Sequence, residues 1–209
     1  MTAAWVDRAE RRFRFLELPN LAAFMATMNA LCAILASIKP EFPEQLLLEP
    51  NHIVHGQVWR ALTFVLVPPD MPFIWLIFWL LLYYVYLKAL EQAWGDFKLT
   101  LYVLIGALAT AAASVITRVP FDSFFFVMSL FLAFANINPE TQLLLFFVIP
   151  VKMKWIAWAA WFIVVWNLLF YGFQARVAIA AGLLNYALYF GPDHYLQLRQ
   201  AWRRRRFRA

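Results

Sequence analysis

The sequence predicts an all-α, polytopic membrane protein with six transmembrane helices, and three observations predict it. Of its 209 residues, 64% are hydrophobic and 14% charged, whereas a soluble domain is nearer half apolar and a quarter charged. Its 21 Phe, 10 Trp and 8 Tyr exceed what one water-soluble core of this length can hide. Charges are confined to short stretches separated by apolar runs of helix length, and at about 20 residues per crossing there is room for roughly six. This composition excludes disorder, a coiled coil and a conventional globular enzyme in water. The single Cys32 excludes an intrachain disulfide and a multi-cysteine metal site.

Residues 1–18 are expected to form an N-terminal segment outside the bilayer, 19–192 the membrane domain, and 193–209 a basic tail. The first span, 20–38, follows Arg8, Arg11, Arg12 and Arg14. It resembles a signal peptide in that respect, but its apolar run is too long for one and further spans follow. The stretch 39–70 holds five of the eleven prolines together with Glu41, Glu44, Glu49, His52, His55 and Arg60. It is too broken to cross a bilayer and is expected as an ordered loop lying in or on the membrane surface. The remaining spans are expected at 71–90, 99–117, 121–138, 155–173 and 177–192. Pro150, Lys152 and Lys154 set off an interfacial segment, 141–150, before the fifth.

Orientation follows from counting Lys and Arg on alternate sides. With six spans, fourteen of the 18 fall on the side of the two termini, and four, Lys39, Arg60, Arg118 and Arg176, on the other. Both termini are therefore expected in the cytoplasm, and the net charge of +6 is a topology signal. It gives no reason to expect nucleic acid. The run Arg203–Arg208 is expected to rest on anionic lipid.

Gly106, Thr110 and Ser114 recur every four residues in the third span, and Ala178 and Gly182 give the sixth a shorter version of this seam. Small residues at such spacing let helix backbones approach closely, so these positions are expected in helix packing. Asn29, Asn167 and Asn185 lie well inside spans, where an unpaired amide is costly and interhelical hydrogen bonds are expected. No charged residue lies near the middle of a span, which argues against an ion-coupled transporter or proton pump.

Three motifs in register, GQVWRALTF (56–64), LEQAWGDF (90–97) and FFVIPVKMKW (146–155), resemble the rhomboid superfamily over roughly residues 20–192. Trp59-Arg60 resembles the loop Trp-Arg pair of rhomboids and Derlins, and Glu91 with Gly95 resembles their Glu-x-x-x-Gly. The resemblance implies a six-helix rhomboid-like bundle with a membrane-associated first loop, in which Trp59, Arg60, Glu91 and Gly95 are structural anchors. Rhomboid proteases use a Ser in Gly-x-Ser-Gly on the fourth helix and a His on the sixth. The corresponding stretches here are PFDSFFFVMS (120–129) and IAAGLL (179–184). Ser123 stands between Asp122 and Phe124 rather than between glycines, and Ile179 stands where the His belongs. A serine without a base is a poor nucleophile, so both are degenerate positions and no catalytic residue is expected. No other chemistry-bearing motif and no cofactor or metal is expected.

The expected function is that of an inactive rhomboid-like protein, similar to Derlins, that binds transmembrane segments of client membrane proteins without cleaving them. The tail AWRRRRFRA lacks the glycine-containing motif through which Derlins recruit an unfoldase. Two rivals remain: an active intramembrane serine protease using Ser123, and a small-solute or lipid transporter. The expected location is the bacterial inner membrane, or the endoplasmic reticulum membrane in a eukaryote. The sequence leaves client and oligomeric state open.

Overall fold

The computed structural model describes residues 4–145 and 149–206 in backbone. It is mostly helical, and the first reason is local. Runs such as 73–94 lack interior Pro and Gly and are dominated by Leu, Trp, Phe and Tyr, so only a helix can satisfy their backbone amides in hydrocarbon. Four helices are long and apolar enough to cross a membrane: α2 (Leu21–Ile38), α5 (Phe73–Trp94), α6 (Asp96–Thr117) and α8 (Met153–Phe170).

The other elements depart from simple spans for identifiable reasons. The N-terminal segment is a short helix, α1 (Ala4–Phe13). The loop 39–70 carries α3 (Pro50–Val54), α4 (Arg60–Thr63) and 3₁₀ turns. The fourth expected span is α7 (Phe124–Ile137), whose 14 residues rise only about 21 Å, short of an ordinary hydrocarbon core of roughly 30 Å. Pro120 and Pro139 bound that stretch on either side. The sixth is divided into α9 (Phe173–Gly182) and α10 (Leu184–Arg206) with a break at Leu183, and α10 continues well beyond residue 192. By length and composition the described helices therefore supply four crossings, plus one short apolar helix and this divided pair.

The fold is also not purely α-helical. Between α7 and α8, where an interfacial segment was expected, β1 (Gln142–Leu145) pairs antiparallel with β2 (Ile149–Lys152). Pro150 stops a helix from forming there, and β-branched Ile149 and Val151 favour strand. Lys152 and Lys154 hold Glu140 at 2.7 and 2.8 Å, tying the end of β2 and the start of α8 to the turn after α7.

The core centres on α6. Its apolar window is 56% buried, against 17% for α5 and α8. Gly106 explains part of this. A Cβ there would lie 2.5 Å from Asn185 Nδ2 and 2.7 Å from the Phe126 ring, so α6 meets α7 and α10 closely only because the side chain is absent. Thr110 turns its hydroxyl onto the Gly106 carbonyl, and Ser114 donates to the Val119 carbonyl. Gly182 is as closely hemmed, and partly by backbone, since its Cβ would meet Phe125 Cβ at 2.5 Å and the Phe125 carbonyl carbon at 2.9 Å.

The two ends of the bundle are built differently. At the end carrying the termini, α1 docks by Trp5 edge-on to Tyr189 and by Asp7 to Lys98 at 2.5 Å. The Lys98 ammonium holds the Asp7 carboxyl below its usual range. At the other end the 39–70 loop folds over α6, and Leu48 bridges Phe121 just before α7. The side chains of Arg203–Arg206, and all of residues 207 and 208, lie outside the described residues, so the expected lipid contact of Arg203–Arg208 has no structural counterpart.

Candidate functional site

Loop 39–70 is held by one guanidinium. Arg60 is 6% exposed. Its Nε donates to Gln57 at 2.7 Å, and its Nη1 donates to the carbonyls of Glu44 at 2.6 Å and Leu47 at 3.0 Å. Thr63 adds a bond to the Leu46 carbonyl. The planar fork thus gathers two stretches of loop that share no regular ladder. Trp59 points outward and is 52% exposed.

At the opposite end Glu91, 5% exposed, joins two helices. Its Oε1 accepts the Ala22 N–H in the first turn of α2 at 3.1 Å, and its Oε2 pairs with Lys88 at 2.5 Å. Four residues later Gly95 donates its N–H to the Glu91 carbonyl and turns the chain from α5 into α6 with φ 85° and ψ 163°. That region is essentially open to glycine alone.

Between α2, α5 and α7, at the end covered by the loop, lies a cleft of about 910 Å³. Ala33, Ala36 and Ser37 form its α2 wall. Phe73, Trp79 and Tyr86 mark its course along α5, a rise of about 20 Å. Asp122, Ser123 and Phe124 stand at the start of α7, and Asp70 comes from the end of the loop. The cleft was not legible in the sequence, because it arises where α2 and the short α7 both pack on α5 but hardly on each other.

Ser123 thus opens on this cleft, but the partners of a nucleophile are elsewhere. Ile179 is 3% exposed in the core of α9, one turn before the Gly182 contact with α7. His55 lines a separate pocket with Asn51, Val115 and Arg118, its Nδ1 2.6 Å from the Asn51 carbonyl. His52 is exposed on α3. His194 lies on α10 against Phe190 and Tyr186. Asp122 Oδ1 accepts the Phe124 N–H at 3.0 Å and so caps α7. None of these histidines lines the cleft with Ser123. Among the described residues no group of three or more His, Cys, Asp or Glu stands where it could hold a metal ion.

The side-chain NH₂ groups of Asn29, Asn167 and Asn185 donate to backbone carbonyls, while the buried Asn29 Oδ1 has no partner among the described residues. Asn29 donates to the carbonyls of Met25 and Val65, Asn185 donates to Tyr102, and Asn167 donates to Ile163 within its own helix. None of the three lines the cleft.

No curated protein matches the sequence. A family model does, described as "Eukaryotic integral membrane protein (DUF1751)", over residues 20–190. This corrects the expected location, which favoured the bacterial inner membrane. Composition and the Lys and Arg asymmetry indicate a membrane protein and its orientation, and neither distinguishes a bacterial from a eukaryotic membrane. The match runs from just before α2 through α9 into the first turns of α10 and leaves out residues 1–19 and 191–209, and on that extent the chain belongs to the family of eukaryotic integral membrane proteins DUF1751.

Proposed function

We propose that this protein is a rhomboid-like, six-crossing membrane protein without protease activity, which receives transmembrane segments of partner membrane proteins in the cleft between α2, α5 and α7. Both termini face the cytoplasm in this reading, and the loop with Trp59 and Arg60 lies at the opposite surface. One observation carries the proposal. An apolar cleft of helix-scale length runs along α5, with Ser123 at its loop end and Phe131 farther in, and the sequence position that matches the rhomboid histidine holds Ile179, buried and outside the lining. Attack by a hydroxyl without a proton acceptor loses about 10²–10⁴-fold, and Phe124, half exposed over the same cleft, takes the space a glycine would leave.

The six crossings are supported by the alternation of the helices: α7 and the α9–α10 pair run in the same direction, from the loop end toward the termini. A bilayer thinned around α7 accommodates its short apolar length at modest cost. A solute carrier is disfavoured by the intramembrane amides, which serve backbone carbonyls rather than the cleft.

Purified protein reconstituted with a transmembrane model substrate provides the test. The expected result is no cleavage by wild type or Ser123→Ala, and no labelling by a fluorophosphonate. Cleavage by wild type that disappears in Ser123→Ala overturns the reading in favour of a protease.

A further inference from the structure

Among the described residues that line the cleft, the charged groups are both acidic: Asp70 at the end of the loop and Asp122 at the start of α7. Both are exposed. Of the cations at this end, Arg60 is engaged with loop carbonyls, Arg118 lines the separate pocket beside His55, and Lys39 and Arg176 are outside the lining. Asp122 spends one oxygen on capping α7, which leaves its carboxylate charge facing the mouth. Away from the two carboxylates the lining is mostly apolar, with Trp79, Tyr86, Met128 and Phe131 deeper and the α2 residues near the loop, in the last turns of that helix. Its α2 wall consists of Ala33, Ala36 and Ser37, at the i, i+3, i+4 spacing of one helix face. Ser37 turns its hydroxyl back onto the Ala33 carbonyl, so this wall offers close approach rather than a hydrogen bond.

These two features select the same occupant. Small residues let a helix backbone come near, and a carboxylate pair at the boundary of the hydrocarbon favours a cation there. An acidic mouth repels anionic lipid headgroups. We infer that the cleft is selective for a transmembrane helix that carries a Lys or Arg where its apolar segment meets the loop end. This rests on the proposed function and names the class of segment it takes. In lipid alone a basic residue at that boundary reaches the headgroups along its own stem, so what it gains on entering the cleft is the attraction of the two carboxylates. A neutral helix gains only packing.

The test uses full-length protein in phosphatidylcholine vesicles, with binding read by energy transfer to two synthetic peptides. Both are single Leu/Ala helices, one with a Lys at one end of its apolar segment and the other with Gln in its place. The expected result is that wild type binds the Lys peptide about tenfold more tightly. In Asp70→Asn/Asp122→Asn that preference disappears while Gln-peptide binding is retained. Asn at 122 keeps a cap oxygen, and retained Gln-peptide binding reports a folded cleft. Equal binding of both peptides by wild type overturns the charge selectivity and leaves helix binding standing. No binding of either peptide, with a photoactivatable phosphatidylcholine labelling Met128 instead, makes the cleft a lipid site and overturns both.

Discussion

Glu91 on α5 accepts the backbone N–H of Ala22 at 3.1 Å, so one carboxylate closes an orphan amide in the first turn of a neighbouring helix. That turn has no cap of its own, because Asn20 stands at φ 55° and makes no side-chain capping bond. A negative group at a helix N-terminus is also favoured by the helix dipole. Glu91→Ala should therefore cost about 1–3 kcal/mol, leaving the Ala22 amide and Lys88 without this partner. Glu91→Gln, which keeps an acceptor, should cost less. Thermal unfolding in detergent measures both, and equal values would show that the cap contributes nothing.

Arg60 should tolerate no conservative replacement. Lys offers one ammonium in place of a fork that reaches Gln57, Glu44 and Leu47 together. Both Arg60→Lys and Arg60→Ala should lose about 1–3 kcal/mol and raise proteolytic sensitivity within 39–58. An unchanged unfolding temperature and digestion pattern in the two variants would remove Arg60 as the anchor of the loop.

Two glycines should differ in a predictable order. At Gly106 the obstructing atoms belong to side chains, Asn185 and Phe126, whereas at Gly182 they include the Phe125 backbone. Side-chain ends can shift and a helix backbone cannot do so locally. Gly182→Ala should accordingly cost more than Gly106→Ala, each within about 1–3 kcal/mol. Gly172→Ala, with nothing within 4 Å of its Cβ, should lie near zero. The reverse order in unfolding experiments would contradict the close approach of α9 to α7.

The hairpin should respond to acid through Glu140, whose carboxyl is lowered to about 2 by hydrogen bonds from Lys152 and Lys154. A depressed folded value means that the clasp stabilises above the ordinary carboxyl range and is lost as pH falls toward 2. The ratio of hairpin amide protection in wild type to that in Glu140→Gln should exceed one at pH 7 and 5, then approach one near pH 2. A ratio independent of pH would assign the hairpin's order to its strands alone.

Legibility in the sequence followed the range of the interaction. Runs such as 21–38 and 73–94 announce their helices because the constraint is local, a backbone that must bond to itself in hydrocarbon. Gly95 stood out only through its motif, and its φ of 85° came with the structure. The docking of α1 was not legible, because Trp5 on Tyr189 and Asp7 on Lys98 join residues 91 to 184 positions apart. The hairpin 142–152 lacks alternation of apolar and polar residues, so its strands gave no period to read. Ser123 and Ile179 could be singled out from motif alone, yet the cleft that gives Ser123 its setting depends on three helices and four loop prolines, Pro40, Pro43, Pro68 and Pro69.

The central claim is that this cleft holds a partner's transmembrane helix intact. A photocrosslinking residue in place of Met128, inside the cleft, should be compared with one in place of exposed Ile163 on α8, in vesicles containing a single-pass model protein. The account predicts that Met128 yields an adduct with the full-length model protein, mapped to its apolar segment, while Ile163 yields lipid adducts. Lipid adducts alone from both positions, or a cleaved partner whose appearance depends on Ser123, would contradict it.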